Sequence, residues 1–307
     1  RVNGDACHFF PNVLGHEFSG IVEEIGDGVT KVKPGTRVAG VPLVPCMKCE
    51  DCQKGNYSLC KHYSFIGSRE FGSFAEYVVV PEMNAVPFED AVSFEQGAFF
   101  EPATVALHGL KRVPYEGGKT VAILGGGTIG MFVMQWANIF GAAKTVVFDI
   151  SPERLELGKR LGATHGVNTL DEDLMEQVKE LTDGKGFDYV FETAGNTITM
   201  KMAFELAANK ANVCFVGTPT KDLTFSVKEW ENMNRKEFNL TGSWMSYSAP
   251  FPGEEWKLVA EYFKNGKLKF DESFIFRKTP LSEIASAFEM YKTPGTVKGK
   301  ILVDSEK

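Results

Sequence analysis

From residue 120 to 143 the chain carries no charged side chain, but Gly125, Gly126 and Gly127 cut that apolar run in two. A membrane span needs an unbroken apolar helix. Here residues 120–124 are β-branched or aliphatic and favour strand, while residues 129–140 favour helix. A buried strand, a tight turn and a helix satisfy both halves. The same rhythm continues downstream. Apolar strand candidates at 121–124, 145–148, 189–191 and 213–216 alternate with helical stretches at 129–140, 152–161, 172–181 and 199–207. Such alternation predicts an α/β, doubly wound parallel sheet covered on both faces. Upstream, short β-like runs at 19–25 and 74–80 are separated by turn signals such as Gly26-Asp27-Gly28 and Lys33-Pro34-Gly35. That spacing predicts a compact, partly barrel-like β unit. A helix near 255–264 and a mixed tail ending in 300–303 close the chain. The 307 residues suit two domains. The expected division is a β-rich domain over residues 1–109, an inserted doubly wound domain over 110–247, and a return to the first over 248–307.

The glycine turn carries chemistry as well as shape. Gly125, Gly127 and Gly130, with Thr128 and Ile129 between the last two, match G-x-G-x-x-G after a strand and at the mouth of a helix. The first glycine permits the tight turn and the second lets backbone approach a pyrophosphate. The third allows close helix–strand packing, and the helix amino terminus offers free N–H groups to the phosphates. Asp149 follows nineteen residues after Gly130 at the expected end of the next strand. A carboxylate there accepts from a ribose diol and repels a 2′-phosphate, so NAD is expected over NADP. The competing interpretation is a purely structural glycine turn beside a solvated aspartate.

Four of the six cysteines, Cys46, Cys49, Cys52 and Cys60, fall within fifteen residues. Four thiolates at this spacing close a tetrahedral zinc site with no open position, so the expected metal is structural. A redox pair, an iron–sulfur cluster and a disulfide are the rivals. The clustering also points to a reducing, cytoplasmic setting, with no signal peptide visible. A formal charge of −7 opposes a nucleic-acid partner.

Gly15-His16-Glu17, the four-cysteine lobe and the glycine fingerprint together resemble the zinc-dependent medium-chain alcohol dehydrogenase superfamily. So does the run from Gly67 to Gly72-Ser73-Phe74-Ala75-Glu76-Tyr77. The resemblance covers essentially the whole chain and implies a GroES-like catalytic domain holding an inserted Rossmann domain. Phe100-Glu101-Pro102-Ala103-Thr104 is similar to the polyol dehydrogenase branch, where threonine dehydrogenases usually carry Asp-Pro instead. Segments 41–46, 65–69 and 242–256 resemble a sugar-phosphate member of that branch. By this resemblance His16 and Glu101 are ligands of a catalytic zinc, and Glu17 binds it directly or through water. An open-site zinc would lower the pKa of a substrate hydroxyl that then releases hydride to the nicotinamide. Arg154 resembles an adenosine-ribose contact, and Val216-Gly217-Thr218 matches the segment that flanks the nicotinamide. Arg69 is a candidate receiver for a substrate phosphate, against the plainer view of a surface arginine. A homodimer or homotetramer is implied, paired through the sheet edge at residues 239–243.

One departure stands out. Relatives carry a catalytic-zinc cysteine in Cys-Gly-x-Asp a little over twenty residues before Gly-His-Glu, and this sequence starts at Arg1 without it. Cys7 is expected to be a free thiol. The resemblance therefore predicts an N-terminally truncated chain lacking one catalytic ligand. Polyol, sugar-phosphate and L-threonine oxidation stay open, as does a non-catalytic dinucleotide-binding protein that has lost the second metal. A zinc-free quinone reductase conflicts with the cysteine lobe and with Gly15-His16-Glu17.

Overall fold

The computed structural model describes residues 9–293 and 295–305, so Cys7 lies outside the described residues. The first segment contains five short strands: β1 (Phe18–Ile21), β2 (Arg37–Gly40), β3 (Leu43–Val44), β4 (Ser64–Phe65) and β5 (Ala85–Pro87). β1, β2 and β5 form an antiparallel sheet, and β3 pairs with β4 in a separate ladder. The buried amide of Asn84 donates to the carbonyls of Val41 (2.7 Å) and Leu43 (2.6 Å), fixing the link between β2 and β3. A short helix α1 (Glu50–Gln53) lies inside the cysteine loop, and α2 (Phe94–Ala98) and α3 (Phe100–Lys111) follow. Residues 74–80, expected as a strand, are irregular: no strand among the described residues pairs with them, and Val79 is 92% exposed. A run of β-favouring residues does not make a strand without a hydrogen-bonding neighbour.

The doubly wound part begins at β6 (Thr120–Leu124), which leads into α4 (Thr128–Ile139). β7 (Lys144–Asp149), α5 (Pro152–Leu161), β8 (His165–Asn168), α6 (Leu174–Leu181), β9 (Phe187–Glu192), α7 (Thr197–Leu206), β10 (Ala207–Phe215), α8 (Val227–Lys236) and β11 (Asn239–Gly242) follow in turn. The six strands lie parallel in the order β11-β10-β9-β6-β7-β8. Strand order reverses between β6 and β9, which opens a crevice at the carboxyl ends of those strands. Val121, Ala122, Ile123 and Leu124 are fully buried, as a strand covered on both faces requires. The uncharged run is thus split between β6 and α4, and among the described residues no helix is long and apolar enough to cross a membrane. Helix α8 is not among the elements expected from the sequence, although Ser226 and Glu229 form a reciprocal capping box at its start.

The return consists of α9 (Glu254–Lys264), β12 (Ile275–Pro280), α10 (Ile284–Tyr291) and β13 (Lys300–Asp304), with β12 and β13 parallel. Trp256, Val259 and Phe263 point α9 into the core, and Phe263 stacks on Phe100. The chain forms two compact units: residues up to Thr104 with Ser246 onward, and Val105–Met245.

Candidate active site and metal centres

The cysteine loop gathers its four sulfurs into one cluster. Their Sγ atoms all lie within 4.8 Å of one another, with Cys46–Cys52 at 4.0 Å and Cys49–Cys60 at 3.8 Å. A tetrahedral zinc with Zn–S bonds of about 2.3 Å requires S–S separations of roughly 3.8 Å, whereas a disulfide needs about 2.05 Å. All four are free thiols, and the spacing fits a single ion. The backbone N–H of Cys49 donates to Cys46 Sγ and that of Cys46 to Cys60 Sγ, both at 3.4 Å. Backbone N–H groups of Lys48 and Cys49 bring the Cys46 thiol down to about 6. Burial pushes Cys52 up to about 12 and raises Cys60. A divalent cation at the centre would convert all four to thiolates. The lobe is anchored to the return segment by a run of rings. Tyr57 meets Phe251 edge-on at 5.3 Å, Phe251 stacks on Tyr247, and Tyr247 stacks on Trp256.

His16 and Glu17 follow a backbone knot. Gly15 has a φ of +97°, and a Cβ there would sit 2.6 Å from Ser73 Oγ. Gly67 and Gly72 both pack against the Gly15 carbonyl with no room for a side chain. Gly72 N–H donates to Val13 O, Ser73 N–H to Gly15 O and Phe74 N–H to Leu14 O. The Gly67–Tyr77 motif is therefore the clamp that fixes Gly15-His16. The His16 imidazole lies 5.5 Å from the Phe65 ring. Glu101 sits in the first turn of α3, one residue before Pro102.

Among the described residues, the cysteine cluster is the only set of three or more ligand groups within mutual reach of one ion. His16, Glu17 and Glu101 do not close into such a set. Glu17 instead forms an ion pair with Lys300 at the start of β13. Burial works to lower the Lys300 pKa, but Glu17, with Glu101 and Tyr291, outweighs it and holds the ammonium above the usual lysine range. One imidazole and two carboxylates remain a donor set that zinc accepts. No local motif announces Lys300, which 283 residues separate from Glu17. Arg69 donates to Tyr63 O at 2.9 Å and lays its guanidinium 3.9 Å over the Tyr63 ring.

In the second unit the three glycines divide their tasks. Gly125 has φ +101°, and a Cβ there would lie 2.9 Å from that of Ala194. Gly130 lies against the Gly125 carbonyl with no space for a Cβ, whereas a Cβ on Gly127 would meet nothing within 4 Å. Gly127 is also the N-cap of α4 and provides no side-chain cap, which leaves the first-turn N–H groups of the helix available to a ligand. This open cradle at a helix amino terminus fits a pyrophosphate. Beside it, Asp149 Oδ2 accepts from Gly126 N–H at 2.7 Å and Oδ1 from Ser151 N–H at 2.9 Å. Arg154 Nη1 lies 3.5 Å from Oδ2. Val216, Gly217 and Thr218 follow directly on β10, and Val216 N–H donates to Glu192 O.

Family models match this architecture twice, as an alcohol dehydrogenase GroES-like domain over residues 2–90 and a zinc-binding dehydrogenase over residues 128–262. The chain belongs to the zinc-binding alcohol dehydrogenases, with a Rossmann sheet and a GroES-like domain. It is 39% identical over 271 residues to galactitol 1-phosphate 5-dehydrogenase of Escherichia coli K12, covering 88% of this chain and 78% of that one. The crystal structure of galactitol-1-phosphate dehydrogenase from Escherichia coli matches with a TM-score of 0.88 at 38% identity, over 95% of this chain and 85% of that chain. D-arabitol-phosphate dehydrogenase of Enterococcus avium is 32% identical over 299 residues, 96% of this chain and 82% of its own.

Proposed function

We propose that this alcohol dehydrogenase oxidises the secondary hydroxyl of a phosphorylated polyol to a ketone with NAD, galactitol 1-phosphate to tagatose 6-phosphate being the first choice. The observation that carries the substrate is the 39% identity to galactitol 1-phosphate 5-dehydrogenase over most of the chain. His16 and Glu101 would hold the catalytic zinc, with Glu17 alongside, and Cys46, Cys49, Cys52 and Cys60 the structural one. When bound, the catalytic ion supplies Lewis acidity that lowers the pKa of a hydroxyl, and NAD accepts the hydride. The Gly15 clamp fixes the position of His16, and Lys300 restrains Glu17. The N–H groups of Gly127, Thr128 and Ile129 receive the pyrophosphate, while Asp149, with Arg154 beside it, takes the adenosine ribose. Arg69 is the candidate for the substrate phosphate, and engaging one would require it to leave Tyr63. A second copy pairs along β11, which lies at the sheet edge with exposed residues. The thiol cluster suits a cytoplasmic compartment.

The test is a panel of galactitol 1-phosphate, sorbitol, xylitol and L-threonine with NAD. The phosphorylated polyol should give the highest kcat/KM. Turnover of sorbitol or threonine without galactitol 1-phosphate would overturn the substrate and keep the class. A second reading, a dinucleotide-binding protein without alcohol oxidation, is favoured by Lys300 occupying Glu17. It requires that no member of the panel is oxidised.

Cofactor choice has its own test. A carboxylate beside the ribose opposes a 2′-phosphate at short range, so kcat/KM should favour NAD over NADP by about 100-fold. Asp149→Ser should narrow that preference to about tenfold or less, with Arg154 then free to meet the phosphate. Equal use of both cofactors by the wild type would contradict the role given to Asp149.

A further inference from the structure

The sheet order places Asp149 of β7 on one side of the glycine turn and the ends of β9 and β10 on the other. A dinucleotide laid across the switch point, its adenosine ribose at Asp149, has its other half over β9 and β10. Glu192, the last residue of β9, is fully buried there. Its main-chain oxygen accepts from Val216 N–H and Gly217 N–H, both at 2.9 Å. Its Oε1 accepts from Ala194 N–H (3.0 Å), Gly195 N–H (2.9 Å) and Thr199 Oγ1 (2.7 Å). One residue thus binds two successive crevice turns, residues 193–196 and 216–218. The turns also pack on each other so closely that a Cβ on Gly195 would lie 2.7 Å from Thr218 O, and one on Gly217 would lie 2.6 Å from Glu192 Oε2.

That Oε2 is buried and has no hydrogen-bond partner among the described residues. Burial pushes the carboxyl above its usual range, against hydrogen bonds from Thr199, Gly195, Ala194 and Asn196 that pull it down. A glutamine would present the same Oε1 acceptor to Ala194 N–H, Gly195 N–H and Thr199 Oγ1 without the charge, and no cation among the described residues pairs with Glu192.

We infer that Glu192 is a positioning residue for the dinucleotide, bracing from beneath the two glycine-containing turns that receive the half of the cofactor remote from Asp149. This rests on the dinucleotide reading above. Its working feature is the Oε1 acceptor, so shape and hydrogen bonding carry the role.

The experiment measures Kd for NADH and, separately, for AMP on wild type, Glu192→Gln, Glu192→Ala and Thr199→Val, with melting temperatures alongside. AMP occupies the Asp149 side alone. Glu192→Ala should weaken NADH about tenfold or more while AMP stays within about twofold. Glu192→Gln should stay within about threefold of wild type for both ligands, and Thr199→Val should weaken NADH about threefold. If Glu192→Ala does not fold, Thr199→Val and Glu192→Gln carry the same comparison. The inference is overturned if Glu192→Ala leaves NADH unchanged or weakens AMP in step, if Glu192→Gln is as weak as Glu192→Ala, or if Thr199→Val leaves NADH at its wild-type Kd. Failure of the wild type to bind NADH or AMP would refute the dinucleotide reading itself, and this inference with it.

Discussion

Gly127→Ala should leave the melting temperature within about 1 °C of wild type while weakening NADH at least about tenfold. Gly127 has a φ of −75°, which alanine adopts freely, and its Cβ would meet nothing within 4 Å. The added methyl would enter only open space, where the proposed pyrophosphate would lie. Gly130→Ala should act differently. There the Cβ would fall on the Gly125 carbonyl and 2.8 Å from Thr193 Oγ1, and a backbone oxygen cannot swing aside as a side chain can. Overpacking of this kind costs about 1–3 kcal/mol, and contact with backbone places it at the upper end. Gly130→Ala should therefore lose melting temperature and NADH binding together. Calorimetry and NADH titration of the two variants separate the glycine that serves the ligand from the one that serves the fold. Normal NADH affinity in Gly127→Ala would show that the cradle does not hold the pyrophosphate.

The other large effect concerns the cysteine lobe. Cys52→Ser, or prolonged chelation of the wild type, should remove one zinc and lower the melting temperature of the GroES-like unit by about 10 °C. Cys52 is buried, and its pKa is pushed up to about 12 by that burial, so without a cation a buried thiol replaces a metal bond. Once the loop loosens, Tyr57 loses its packing on Phe251 and the ring series to Trp256 is opened at one end. The Rossmann unit holds none of these residues, so NADH affinity should remain within about twofold of wild type. Differential scanning calorimetry with zinc analysis checks both halves of this expectation. A Cys52→Ser protein that keeps its full zinc content would contradict a zinc site at the cysteine cluster.

What the sequence made legible follows from how local each signal is. The doubly wound unit announces itself because each strand and helix carries its own period, and strands covered on both faces read as uniform apolar runs such as residues 121–124. The cysteine lobe and the glycine turn are short-range motifs whose spacing alone restricts their geometry. Residues 74–80 differ because β-favouring residues form a strand only where a partner strand exists, and here Val79 and Tyr77 face solvent. Helix α8 carries a readable start signal in Ser226 and Glu229. Lys300 and Glu192 were out of reach for a different reason. The first meets Glu17 across most of the chain, and the second ends an apolar strand where a glutamate is ordinarily taken as solvent-facing. Their environments are made by tertiary packing, which no local pattern records.

An active enzyme needs chemistry at His16 and not only structure at the cysteines. The most direct measurement is the zinc content per chain of the metal-loaded protein and of His16→Ala. About two zinc ions per chain are expected for the wild type, falling to about one in His16→Ala, with NADH affinity retained and alcohol oxidation lost. A wild type that binds only about one zinc, with the same content in His16→Ala, would contradict it.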